Sequence, residues 1–266
     1  MRIGVMLSSF GRALAKGDLS VADAVACCAD AGAHGVEPSA RLVADQGADG
    51  LNQLLDSHGL TVPCYDVFAD LIQDDPSGRR EAIAELVAEV RQAAGLGAPV
   101  VLVVPGALRE GIDRPLAITR AAESIRSVIP AAESLGVALT VEQMGSDQAL
   151  CTRGEHMRAV VEAVDSPRFG LTYDPGNFYI TGEDCVKPLP DLLPWVRHVH
   201  FKDIKLRPDG WDSVPLGTGE VPLEAVYRIL AQGGYDGCIS VEYEGPDDPC
   251  AAVRAGVSYV SELLSC

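Results

Sequence analysis

Short apolar runs alternate with longer amphipathic stretches along the chain. The runs cover 3–7, 35–37, 60–65, 100–104, 137–142, 169–174, 196–200 and 238–242. Several are near-continuous Val, Ile and Leu, the composition of parallel strands covered on both faces. Between them, apolar residues recur at helical spacing: Val21, Val25, Cys28 and Ala29; Ile83, Leu86, Val87 and Val90; Ile118, Ala121, Ala122, Ile125 and Ile129. Start signals agree with this reading. Ser20 with Asp23 makes a capping box, and Pro76 and Pro222 fall at or near a first helical position. Gly32, Gly59, Gly95 or Gly97, Gly136 and the pair Gly233-Gly234 each follow a helical run, as stop signals should. The pattern predicts eight strands alternating with eight helices, and therefore a parallel sheet. At 266 residues, eight such units favour a closed (β/α)8 barrel, α/β in class, over an open sheet. No linker or low-complexity tract interrupts it, so residues 1–266 read as a single barrel domain. The longest connections, 105–114 and 203–219, are where function is expected on such a scaffold.

Composition narrows the function classes. Twenty-one Lys and Arg face 38 Asp and Glu, a formal net charge of −17. Phosphate neutralisation needs clustered basic residues, so nucleic acid and anionic membranes are poor partners. The opening MRIGVMLSSF is too short an apolar run for a secretory leader. No window approaches the roughly 18 apolar residues of a membrane span. A soluble cytoplasmic protein is expected. Its eight cysteines (Cys27, Cys28, Cys64, Cys151, Cys185, Cys238, Cys250 and Cys266) form no CxxC pair and read as small apolar fillers.

Chemistry is sought at the C-terminal ends of the strands, where barrels of this kind carry their sites. Four consecutive strands end in an ionisable residue: VALTVEQ in Glu142, FGLTYDPGN in Asp174, VRHVHFKD in His198 and His200, and CISVEYEG in Glu242. Three carboxylates and an imidazole converging on one dry space repel one another unless a cation is shared. Oxygen ligands with one imidazole suit Mn²⁺, Mg²⁺ or Co²⁺, with Zn²⁺ less natural. Glu142, Asp174, His200 and Glu242 are thus the expected metal ligands. His198 shares the face of His200 and is expected in the layer beneath it. Glu37 at the end of HGVEPS could bond a substrate hydroxyl or form a rim ion pair with Arg41. Lys202, on the face of His200, could hold an anion or hydroxyl or could be a solvated loop lysine. Tyr65, Phe68 and Trp211 could form an apolar wall.

At these residues the sequence resembles the xylose-isomerase-like TIM-barrel superfamily, and within it the sugar phosphate isomerase/epimerase branch. TVEQ, YDPGN, HVHFKD, PLGTGEV and ISVEYEG carry the likeness, which covers essentially the whole chain. Position 177 is Asn where ketose 3-epimerases commonly carry His, and HVHFKD looks more like inosose-type members. The resemblance implies a Glu-Asp-His-Glu metal site with Mn²⁺ as the first choice. It also implies that Glu142 and Glu242 are the acid and base on opposite faces of a small keto-sugar or polyol. Proton removal would give an enediolate, whose reprotonation epimerises or isomerises the substrate. Asn177, Lys202 and Glu37 are the expected substrate contacts. A lyase on the same scaffold, an inosose-type dehydratase or a β-eliminating enzyme, shares the first half of this chemistry. A non-catalytic sugar-binding barrel is a further alternative. Self-association as a homo-oligomer is compatible with the fold class.

Overall fold

The computed structural model describes residues 1–265; Cys266 lies outside the described residues. Its strands are β1 (Arg2–Met6), β2 (Gly35–Glu37), β3 (Tyr65–Phe68), β4 (Val100–Val104), β5 (Ala138–Glu142), β6 (Phe169–Tyr173), β7 (Val196–Arg207), β8 (Gly210–Val214) and β9 (Cys238–Glu242). They run β2-β1-β9-β7-β6-β5-β4-β3, all parallel apart from β8, which is antiparallel to β7. Bridges from Gly35 to Thr61 and from Ser39 to Asp66 bring β2 against β3 and all but close the barrel. Helices cover the outside, but two α-helices and not one follow β1, β2 and β6, and β8 intervenes after β7, so the simple eight-and-eight expectation is exceeded.

Alternation along each strand divides the core. Val101, Val103, Leu139, Val141, Leu171, Val199 and Ile239 belong to the large apolar cluster shared with the helices. Cys64, Val100 and Leu102 form a separate small cluster inside the barrel. Much of the remaining interior is polar: Thr140 and Thr172 bond each other at 2.8 Å, and Ser240, His198 and Glu37 are buried around them. The expected helix signals hold locally. Ser20 and Asp23 form the reciprocal capping box of Val21–Asp30, and Gly59 ends Ala48–His58 in the left-handed region at φ 65°. The seven described cysteines are free, and six of them are buried.

Two segments differ from the sequence expectation. The third strand is displaced: the run 60–65 meets β2 at Thr61, but the regular strand begins at Tyr65. Pro63 has no N–H to give a ladder, which breaks the run in two. The connection 203–219 is not an extended loop. Its first half continues β7 and folds back as β8, with Lys205 opposite Asp212 and Leu206 opposite Trp211. The turn is Pro208-Asp209-Gly210, where Gly210 takes φ 154°.

Candidate functional site

β5 delivers Glu142 from its last position, fully inside the barrel mouth. Asp174 follows β6 and caps the short helix Pro175–Ile180, accepting from the Gly176 N–H at 2.7 Å with one oxygen. Gly176 is needed here because a Cβ would lie 2.7 Å from both the Cβ and the carbonyl oxygen of Lys202. That close approach packs the helix onto β7. β7 presents His198, His200 and Lys202 on one face, and β9 ends in Glu242.

These side chains meet. His200 Nδ1 lies 2.7 Å from Glu142 Oε1 and 3.8 Å from Glu242 Oε2. Ligand atoms of Glu142, Asp174, His200 and Glu242 all fall within 4.8 Å of one another. Asp174 Oδ2 is buried and has no hydrogen-bond partner among the described residues. A carboxylate oxygen with no hydrogen bond, met only by the Lys202 ammonium at 3.5 Å and set among carboxylates and an imidazole, is a donor arrangement a divalent cation fits. Lys202 Nζ is 2.8 Å from Glu242, 3.2 Å from Glu244, 3.5 Å from Asp174 and 3.2 Å from Asn177 Oδ1. The lysine is buried, so it is no solvated loop residue.

Glu37 is placed one layer lower than a substrate contact requires. Its side chain is fully buried, Oε2 is 2.8 Å from His198 Nε2, and Oε1 is 3.0 Å from His200 Nε2. The carboxylate therefore holds both imidazoles and does not turn to the opening or to Arg41. Of the suggested apolar wall, Phe68 is exposed at the mouth, whereas Tyr65 points outward and donates to Glu89 at 2.5 Å. Trp211 is on the β7–β8 hairpin.

Electrostatics follow from burial against pairing. Burial pushes the Glu142 carboxyl up, against the pull of His200. Burial raises Asp174 to about 8, with Lys202 opposing. For His200 burial favours the neutral ring, but Glu37 and Glu142 outweigh it and hold the imidazole well above its usual value. Glu242 and Asp174 do the same for Lys202. The site thus gathers more carboxylates than basic groups in a buried space, and Asp174 is the carboxyl whose proton is held up to about 8.

Three positions that support the cluster are not marked by the sequence pattern. Asp66 on β3 is buried against Glu37, and the displaced strand hid it. Asp203, next after Lys202, accepts from the N–H groups of Gly217, Gly219 and Val221 and so pins the PLGTGEV loop beside the mouth. Gln143, after Glu142, donates to the carbonyls of Thr152 and Asn177 and ties the loops after β5 and β6 together. HVHFKD and TVEQ contain the last two, but a hydrogen bond to distant backbone leaves no periodic signal.

Comparison with known proteins places the fold in a family. The family model described as xylose isomerase-like TIM barrel matches residues 25–263. The chain is 26% identical over 204 residues to an uncharacterised protein of Methanocaldococcus jannaschii, covering 72% of this chain and 67% of that protein. It is 26% identical over 177 residues to an inosose isomerase of Halalkalibacterium halodurans, covering 65% of this chain and 63% of that protein. It is 31% identical over 116 residues to an inosose dehydratase of Clostridium tetani, covering 37% of each. The matches therefore span two thirds or less of those relatives' length. Among solved structures, an IOLI protein with a bound zinc atom superposes with TM-score 0.85 at 19% identity, over 100% of this chain and 98% of that one. A D-psicose 3-epimerase of Clostridium cellulolyticum, solved with D-tagatose, gives TM-score 0.83 at 18% identity over the whole of both chains. Sugar isomerases, epimerases and inosose dehydratases thus surround the chain, which belongs to the xylose isomerase-like TIM barrel family.

Proposed function

We propose that the protein is a divalent-metal-dependent isomerase or epimerase of a small keto-sugar or polyol. The observation that carries this reading is the four-ligand cluster of Glu142, Asp174, His200 and Glu242 with its orphaned Asp174 oxygen. A cation held there, Mn²⁺ by preference with Mg²⁺, Co²⁺ or Zn²⁺ as alternatives, would polarise the oxygens of a substrate carbonyl and its neighbouring hydroxyl. The protein supplies the rest. Glu142 and Glu242 approach the mouth from different strands, so one carboxylate oxygen can remove a proton from carbon while the other returns one. Burial raises the Glu142 carboxyl above its ordinary value, which favours its holding such a proton. Lys202 donates to Glu242 and Asn177 and, with Asn177, is placed to orient a substrate oxygen at the edge of the carboxylates. Burial of these groups excludes water from the exchange.

A second reading, a dehydratase of the inosose type, is favoured by Lys202. A buried ammonium among Glu242, Asp174 and Asn177 can stabilise a leaving hydroxyl after the same first proton transfer. Proton NMR of candidate keto-sugars and inososes in D₂O separates the two. Deuterium entering one carbon with water retained supports the isomerase or epimerase; an enone or diketone product supports the lyase. A chain that binds these compounds while catalysing neither exchange nor dehydration, with Glu142→Gln and Glu242→Gln binding them equally, would be a sugar-binding barrel instead.

A further inference from the structure

Beneath the four-ligand cluster is a second acidic group that the proposed reaction does not use. Asp66 on β3 and Glu37 on β2 are both buried, and Asp66 Oδ1 has no hydrogen-bond partner among the described residues. Ligand atoms of Glu37, Asp66 and Cys64 lie within 4.8 Å of one another. Both Glu37 oxygens already accept from imidazoles, at 2.8 Å from His198 and 3.0 Å from His200. The imidazoles pair with Glu37, and no cation pairs with Asp66 among the described residues, so ionising both carboxylates in this dry interior is disfavoured unless a proton or an added cation lies between them. Lys202 is engaged elsewhere, with Glu242, Asp174 and Glu244. Burial keeps the neighbouring Cys64 thiol well above its usual range, so that group arrives as a neutral S–H and not as the thiolate a buried cation would want.

We propose that Asp66 is a protonated positioning residue: its carboxyl O–H donates to Glu37 and fixes that carboxylate as acceptor for His198 and His200. Glu37, with its imidazole partners, is the member that stays ionised, and Asp66 is the one that burial and Glu37 push well up. The consequence reaches the mouth through one ring. With Nε2–H held on Glu37, His200 turns Nδ1 toward Glu142 and Glu242, the side from which a cation would be bound. The N–H that the far ring nitrogen donates to this second carboxylate sets ring orientation and ligand strength, and removing such a partner typically costs about 10–100-fold in metal affinity. This inference rests on the metal reading above for its effect, but not for the state of Asp66.

The experiment uses the full chain in three forms: unaltered, Asp66→Asn and Asp66→Ala. Infrared difference spectra read the carboxyl directly, and Mn²⁺ calorimetry with metal analysis reads the site. An amide at position 66 keeps a donor to Glu37 and a methyl group does not. The expected result is a protonated-carboxyl stretch in the unaltered protein that Asp66→Asn abolishes. Mn²⁺ affinity should stay near the original in Asp66→Asn and weaken about 10–100-fold in Asp66→Ala. The proposal is overturned by absence of that stretch, or by affinity in Asp66→Asn as weak as in Asp66→Ala. It is equally overturned by a second metal per chain that Asp66→Asn removes, since a cation would then replace the proton. If Asp66→Ala does not fold, the infrared comparison of the other two forms still decides. If no form binds Mn²⁺, the metal reading fails while the stretch still tests Asp66.

Discussion

The barrel mouth has two unlike sides. From β5 to β9 it is lined by Glu142, Asp174, His200, Lys202 and Glu242, all buried and bonded to one another. Across β3 and β4 it is mainly apolar, with Asp70, Ser146 and Gln148 at its rim. Phe68 is 72% exposed, and with Val104, Ala107 and Met144 it lines a cleft of about 410 Å³ beyond the ends of β3, β4 and β5. The same fold position, the C-terminal end of a strand, gathers ionisable groups on one side and mainly apolar surface on the other. A charged residue at a strand end acquires partners from the neighbouring staves: four adjacent staves ending in acid or imidazole bring their side chains together, whereas the strand ending in Phe68 contributes a wall.

Variants on the two sides are expected to separate by size and by kind of effect. The largest effect is expected from Glu142→Gln or Glu242→Gln. Each should lower turnover by about 10²–10⁴-fold, read as kcat on whichever keto-sugar or inosose the NMR screen identifies. Next is Gly176→Ala, whose new methyl would meet Lys202 at 2.7 Å. Displacing Lys202 and the Asp174 cap should destabilise by about 1–3 kcal/mol in urea unfolding and weaken metal binding as well.

The charged side also predicts an unusual pH response. Asp174 is raised from 3.8 to about 8 by burial, so the folded protein binds its proton more tightly than the unfolded chain does. The Asp174 contribution to stability is therefore greatest below 3.8 and is lost as pH rises to about 8. The metal-free protein should melt at progressively lower temperature over that window relative to Asp174→Asn, and added Mn²⁺ should reverse the loss. The smallest effect is expected on the apolar side. Phe68→Ala should raise KM severalfold with kcat held, since it removes contact area and no proton carrier.

How legible all this was depended on the local pattern. Glu142, Asp174 and Glu242 each end a near-continuous apolar run, and His200 and Lys202 follow His198 at the strand period, so the charged side could be read in advance. Asp66 could not, because Pro63 interrupts the run that should have carried it and moves the strand downstream. The β7–β8 hairpin had a signal in Pro208-Asp209-Gly210, but its strands are half exposed and lack the apolar continuity of the barrel staves. The depth of Glu37 was invisible for another reason. Its partners are 161 and 163 residues away, and only the closed barrel brings them together.

Metal content of the purified chain tests the central claim most directly. Elemental analysis before and after chelation, on the unaltered protein and on Asp174→Asn, should give about one divalent ion per chain that chelation removes and the variant binds poorly. Protein that takes up no divalent ion, or an Asp174→Asn variant that binds one as tightly as the unaltered chain, would contradict it.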